Sequence, residues 1–317
     1  MAAVKMARHA KTIAILAAVV LFAVPARAQK NKDIERIGER DINKGSVNFY
    51  SLEREIALGQ QLSAQVEASS RLLRDSRVQR FVDDVVQNLV RNSDSQVPFT
   101  VKIIDSDEVN AFALPGGYLY VNTGLILEAE TESELAGVLA HEIAHVTARH
   151  TTKQASKRTL MELLSIPLLF VGGPVAYGVQ QAMGLAVPLA FLKFSRNAER
   201  EADYLGLQYA YAANYDPTAM VDFLERMGQK ERSRVPMAFS SHPMTKDRIQ
   251  RAQTEIATIL PERPEHVVST SRFEVVKNNL QRLQHANWVY AGDDREGPRL
   301  RRRTDPETAE KKGGEDR

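Results

Sequence analysis

The sequence predicts a mostly helical α+β fold on three observations: apolar residues recur at helical spacing in several stretches, only two short segments read as strands, and turn residues separate the two kinds. Two helical stretches come first, of which the clearer carries Val78, Phe81, Val82, Val85 and Leu89 at i, i+3, i+4, i+7 and i+11, with Asp75 placed to cap it. Phe99, Val101 and Ile103 then alternate with polar residues, as in a strand with one buried face. Pro115-Gly116-Gly117 marks a turn, and Tyr118–Val121 reads as a second strand beyond it. From Thr131 the period is helical again. Thr131 and Glu134 have capping-box spacing, Leu135, Val138 and Leu139 begin an apolar face, and the helix is predicted to run to about His150. Further on, Asp216, Pro217 and Gly228 stand where a cap, a first-turn proline and a C-terminal glycine bracket another helix.

At 317 residues, with 43% hydrophobic and 26% charged residues, the chain is long enough to bury a sizeable core. Residues 1–28 read as a secretory signal peptide: Lys5, Arg8 and Lys11 lead into the apolar run Thr12–Val24, and Ala26-Arg27-Ala28 offers a small-x-small cleavage site. That run is short of the roughly 20 residues that span a bilayer. Cleavage removes four bases and no acid, so the formal charge falls from +2 to about −2, which excludes the basic face a nucleic-acid partner needs. The chain has no cysteine. Disulfides, a thiol nucleophile and a lipidated N-terminal cysteine are therefore excluded, and any metal must be held by nitrogen and oxygen. The expected order is an N-terminal arm over 29–51, polar and extended through Asn48, a main domain over 52–261, a helical segment over 262–290 and a disordered tail over 291–317.

The chemistry-bearing signal is His141-Glu142-Ile143-Ala144-His145, which falls inside the predicted helix. A spacing of i and i+4 puts both imidazoles on one helix face, able to share one tetrahedral metal, while Glu142 is displaced toward the open coordination position. Glu142 is then the candidate general base, and zinc, one ion per chain, would bring a water's pKa to about 7. Val138, Leu139, Ile143 and Ala144 make the surroundings apolar, where an unpaired His or Glu is costly. A third ligand is still needed. Ala148 and Thr151 stand where a continuing His-x-x-Gly-x-x-His motif would need Gly and His. The segment Ser195–Asp203 offers Glu199 instead, with Asp203 one turn on to orient a ligand imidazole. Glu201 is the rival ligand, but it points to the far side of that helix. His150, off that ligating position, reads as structural, and His266 and His285 receive no role.

With these residues in place, the chain resembles the M48 metallopeptidases, and within them the exported bacterial members. The resemblance covers Leu52 to Arg248 and rests on four segments in order: Asn110–Gly117, the histidine motif, the Glu199…Asp203 helix, and Ser241-His242-Pro243-Met244-Thr245-Lys246-Asp247-Arg248. It implies a gluzincin-like metallopeptidase core with a small antiparallel sheet, an endopeptidase acting on protein or peptide substrates, a periplasmic location and a role in envelope protein quality control. It also places the last segment at the rim of the metal site. There Arg248 could stabilise a developing oxyanion, and His242 could either join it or occupy the fourth metal position and hold the enzyme off.

Two segments have more than one reading. Asn110, Ala111, Phe112 and Ala113 could form an exposed sheet edge to which an extended substrate adds by main-chain hydrogen bonds, or an interior strand with Phe112 in the core. The apolar stretch Leu160–Phe194 is broken by Pro167, Gly172-Gly173-Pro174 and Pro188, and reads as a lid over the cleft with peripheral membrane contact rather than as a membrane hairpin. Larger exported relatives carry a helical repeat domain where this chain has its charged tail. The competing functions are a chaperone-like binding protein and a membrane-integrated protease.

Overall fold

A computed structural model describes residues 34–165, 194–231, 242 and 246–291. The expected signal peptide, most of the apolar segment 160–194 and residues 292–317 of the expected tail lie outside the described residues. Among those described, no helix is long and apolar enough to cross a membrane.

Helix α1 (Leu52–Ser69) opens on Ser51, whose hydroxyl accepts from the Arg54 amide. Helix α2 (Ser76–Arg91) opens on Asp75, which accepts from the amides of Arg77 and Val78, and it buries Val78, Phe81, Val82, Val85, Val86 and Leu89 as the spacing predicts. Strands β1 (Thr100–Ile104), β2 (Ala111–Leu114) and β3 (Tyr118–Asn122) follow. The expected antiparallel sheet is mixed. Its order is β1-β3-β2, with β2 antiparallel to β3 through a tight turn and β1 parallel to β3. The turn makes this possible: Gly117 has φ of 90°, and a Cβ there would lie 2.1 Å from the Pro98 carbonyl oxygen, so the chain entering β1 packs directly on the turn.

Helix α3 (Thr123–Glu128) leads to the central helix α4 (Glu132–Thr147), buried along its whole length. Thr131 accepts from the Glu134 amide as expected, while the Glu134 carboxylate reaches back to the Glu130 amide, one residue beyond the usual capping-box partner. The prediction that this helix reaches His150 is corrected: it ends at Thr147, and Arg149 takes a left-handed φ of 56° before helix α5 (His150–Ser165) begins. That conformation, unfavourable for a non-glycine residue, is held by the Arg149 guanidinium, which donates to Glu55 Oε1 at 2.8 Å and to the Tyr50 carbonyl at 2.5 Å.

Helix α6 (Arg196–Ala212), capped by Ser195, packs along α4. Helix α7 (Thr218–Glu231) starts after Asp216 as read from the sequence but runs through Gly228, the expected end. Helix α8 (Lys246–Ile259) packs on α6 and α7. Helix α9 (Ser271–Ala291) returns to α2, where Phe273 meets Phe81 at a ring-centroid distance of 6.0 Å, and Phe273, Val276 and Leu280 enter the same core as α2, the sheet and α4. The described part of the N-terminal arm is not extended throughout, since residues 35–39 and 42–45 form turns. It makes turns pinned by Arg40, which pairs with Asp94 at 2.5 Å and donates to Gln208 on α6 at 2.7 Å.

Candidate metal centre

Helix α4 presents His141 and His145 from successive turns, and their Nε2 atoms stand 3.0 Å apart. Helix α6 brings Glu199 from its first turn, with Oε2 3.5 Å from His141 Nε2 and Oε1 3.5 Å from His145 Nε2. His242 completes the cluster: its Nδ1 lies 2.8 Å from Glu199 Oε1 and 3.4 Å from His141 Nε2. One donor atom from each of His141, His145, Glu199 and His242 lies within 4.8 Å of the other three, and all four residues are buried. Donors at zinc's usual bond lengths in a tetrahedron are separated by about 3.3 Å, which the distances between His141, His145 and Glu199 bracket. Lone pairs converging on one buried point repel unless a cation lies among them. The residues present therefore fit a metal ion.

The surroundings set the charge state. Burial opposes charge on His141, but Asp203, whose Oδ1 lies 3.0 Å from His141 Nδ1, together with Glu199 outweighs it and raises the imidazole to about 9. Burial and the neighbouring rings of His141, His242 and His150 hold His145 well below its ordinary value. Burial also opposes ionisation of Glu199 and Asp203, yet both are lowered, Glu199 by His141 and His242 and Asp203 by Arg248 and His141. A metal entering here must displace a proton, so binding weakens as the pH falls.

Glu142 is 2% exposed and burial pushes its carboxyl up, against His242, His141 and a backbone hydrogen bond from Ala113. Its Oε1 has no hydrogen-bond partner and faces His242 Nε2 at 3.5 Å. The Ala113 contact joins the site to the edge strand β2. Asn110 accepts from the Asn122 amide, so Phe112 and Leu114 turn their main-chain groups toward β3 while Ala111 and Ala113 turn theirs away from it, to the side with no strand partner among the described residues. The side chains of β2 are all buried, and Phe112 stacks on Tyr120 at 5.2 Å. The strand is thus a sheet edge in its main chain and core in its side chains.

Arg248 and His150 lie behind the converging donors. Arg248, expected at the rim as an oxyanion donor, is 6% exposed and grips Asp203 through Nε–Oδ2 at 2.8 Å and Nη2–Oδ1 at 2.7 Å, with Nη1 3.3 Å from Glu199 Oε2 and 3.2 Å from the His242 carbonyl. Its fork matches a carboxylate, and that pairing draws it behind the ligands. His150, read as structural, places Nδ1 2.8 Å from His145 Nδ1 and Nε2 3.2 Å from Glu201 Oε2. Phe194, which drew no attention in the sequence beyond its place at the end of the apolar run, stacks on His145 at 4.0 Å. No spacing rule announces either contact. Glu201 stands apart from the four converging donors, as its helical offset from Glu199 predicts.

Paired helix-borne histidines, a buried carboxylate beside the first and a glutamate from a second helix make this an HExxH-type metal site on a mostly helical α+β fold. A profile of peptidase family M48 matches residues 72–256, more than half of the chain. The chain belongs to peptidase family M48. It is 31% identical over 235 residues to the beta-barrel assembly-enhancing protease of Yersinia pestis, covering 70% of this chain and 48% of that protein. It is 29% identical over 248 residues to the protein of that name from Escherichia coli K12, covering 75% and 50%. A mitochondrial metalloendopeptidase OMA1, from Schizosaccharomyces pombe, is 30% identical over 252 residues, covering 78% and 73%. The chain spans about half the length of these bacterial relatives.

Proposed function

We propose that this chain is a zinc-dependent endopeptidase in which His141, His145 and Glu199 hold the metal and Glu142 is the catalytic base. The observation that carries the reading is the convergence of four buried donors beside a buried carboxylate that the edge strand β2 touches. A set of two imidazoles and one carboxylate, without thiols, is a zinc-hydrolase set. When bound, the metal supplies the Lewis acidity that acidifies a water and polarises the scissile carbonyl. Glu142 accepts the proton of the attacking water on its carboxylate and returns it to the leaving nitrogen. An extended substrate pairs with the outward main-chain groups of Asn110–Ala113, so binding depends little on side-chain identity and the enzyme is broad in specificity. Asp203 orients His141, and Arg248 orders Asp203 and Glu199.

Glu142→Gln should keep the metal and lose hydrolysis, read as zinc content by mass alongside casein cleavage; wild-type cleavage by this variant would sink the mechanism. His242, with Nδ1 among the ligand atoms, is read as a gate that fills the fourth metal position and blocks the attacking water. His242→Ala should therefore raise casein cleavage. A fall would assign His242 to transition-state stabilisation, and unchanged cleavage with unchanged zinc affinity would remove both roles.

The substrates are proposed to be misfolded or unassembled envelope proteins in the periplasm. The charged-then-apolar N-terminus and bacterial relatives named for β-barrel assembly support this. A chaperone-like binder has no use for a buried base at position 142, which disfavours that alternative.

A further inference from the structure

We propose that His150 and Glu201 form a hydrogen-bonded chain that locks His145 in its metal-binding tautomer, a positioning role that rests on the metal centre described above. His145 turns Nε2 toward the converging donors and Nδ1 toward His150 Nδ1, 2.8 Å away. Two bare ring nitrogens at that distance would repel, and two protonated ones would clash, so one of the pair carries the hydrogen. A metal on His145 Nε2 requires that nitrogen to be bare. The neutral ring then carries its one hydrogen on Nδ1 and donates to His150, whose Nδ1 must accept. Neutral His150 consequently keeps its hydrogen on Nε2, which faces Glu201 Oε2 at 3.2 Å. Each assignment forces the next, from the metal out to a carboxylate whose side chain is 43% exposed.

The backbone is shaped for this contact. In an unbroken helix, residues five apart are about 140° apart around the axis and their side chains do not meet. Arg149 at φ 56° breaks the helix between the two histidines, and Glu55 and the Tyr50 carbonyl hold it there. His150 is thereby swung against the edge of His145, ring centroids 4.8 Å apart at 71°, while Phe194 covers a face of His145 at 4.0 Å. His141 has a shorter form of support, an ion-pair contact in which Asp203 Oδ1 lies 3.0 Å from its Nδ1. Both ligand imidazoles are thus backed by a carboxylate, one directly and one through a second histidine.

The test measures zinc affinity by chelator competition in wild type, His150→Ala, His150→Asn and Glu201→Ala, with ¹⁵N-histidine NMR of the zinc-bound wild type. His150→Ala should bind zinc about 10–100-fold more weakly. His150→Asn, whose side-chain carbonyl can accept from His145 Nδ1–H, should recover most of that loss, and Glu201→Ala should fall between. The spectra should show His145 protonated at Nδ1 and His150 protonated at Nε2. Should His150→Ala misfold, the asparagine variant and the spectra still decide. A wild type that binds no zinc overturns the metal centre and this chain together. Wild-type binding with unchanged affinity in His150→Ala, or a hydrogen on His150 Nδ1, overturns the chain alone.

Discussion

At the scale of single residues, the site is a buried set of opposed charges whose members hold one another in place. His141, His145, Glu199, Asp203, His242 and Arg248 are each at most 6% exposed, so each would be costly alone. Burial raises the stakes of every pairing, because a group left without its partner pays the full desolvation cost. Glu199→Ala removes a donor and should abolish most zinc binding. Asp203→Ala leaves all three ligands but frees His141 to turn, and should weaken zinc about 10–100-fold. Metal titration of the two variants separates them, and equal affinities would mean the third ligand lies elsewhere. The i, i+4 spacings of His141 with His145 and of Glu199 with Asp203 made these residues legible in the sequence, because the helix repeat alone puts each pair on one face. His150 was not legible, since its contact depends on one backbone dihedral at Arg149.

At the scale of elements, catalytic geometry depends on how closely α6 approaches α4. Gly206 lies at that crossing: a Cβ there would come within 3.0 Å of the His141 nitrogen and 3.1 Å of its Cα. Backbone cannot yield as a flexible side chain can, so the two helices would have to part. Gly206→Ala should cost about 1–3 kcal/mol of stability. It should also lower zinc affinity, because α6 carries Glu199 and Asp203 while α4 carries the histidines. Thermal melting of the metal-free protein and zinc titration of the same sample check the two effects, and wild-type values in both would show that the contact is not tight in solution. The sheet teaches a related lesson. The position of β1 followed from alternation, but the parallel β1–β3 pairing did not, since alternation identifies a buried face and not a neighbour.

At the scale of the whole molecule, segments far apart in the chain lock the helix that carries Glu199. Asp94, after α2, accepts from Arg40 in the arm, from the Gly38 amide at 2.7 Å and from Tyr209 on α6 at 2.9 Å. The Arg40 and Asp94 side chains are 7% and 0% exposed. Arg40→Ala would leave the Asp94 charge buried with its cation gone, and should destabilise the fold by about 3–5 kcal/mol in urea denaturation. A change below about 1 kcal/mol would mean that water replaces the guanidinium. The arm read as polar and extended because its sequence shows no periodicity. Its order comes from partners more than fifty residues away.

The sequence by itself determined the local features: the capped helices, the buried stripes, the first strand and the ligand pairs, because each follows from a repeat of 3.6 or 2 residues or from one side chain bonding a nearby amide. Tertiary structure alone decided how β1 joins the sheet, why Arg248 sits behind the carboxylates, and which way His150 faces. Those outcomes depend on pairing and packing between residues 18 to 99 apart in the chain, and on a helix break held by Glu55 and Tyr50. No periodicity records a partner at that distance.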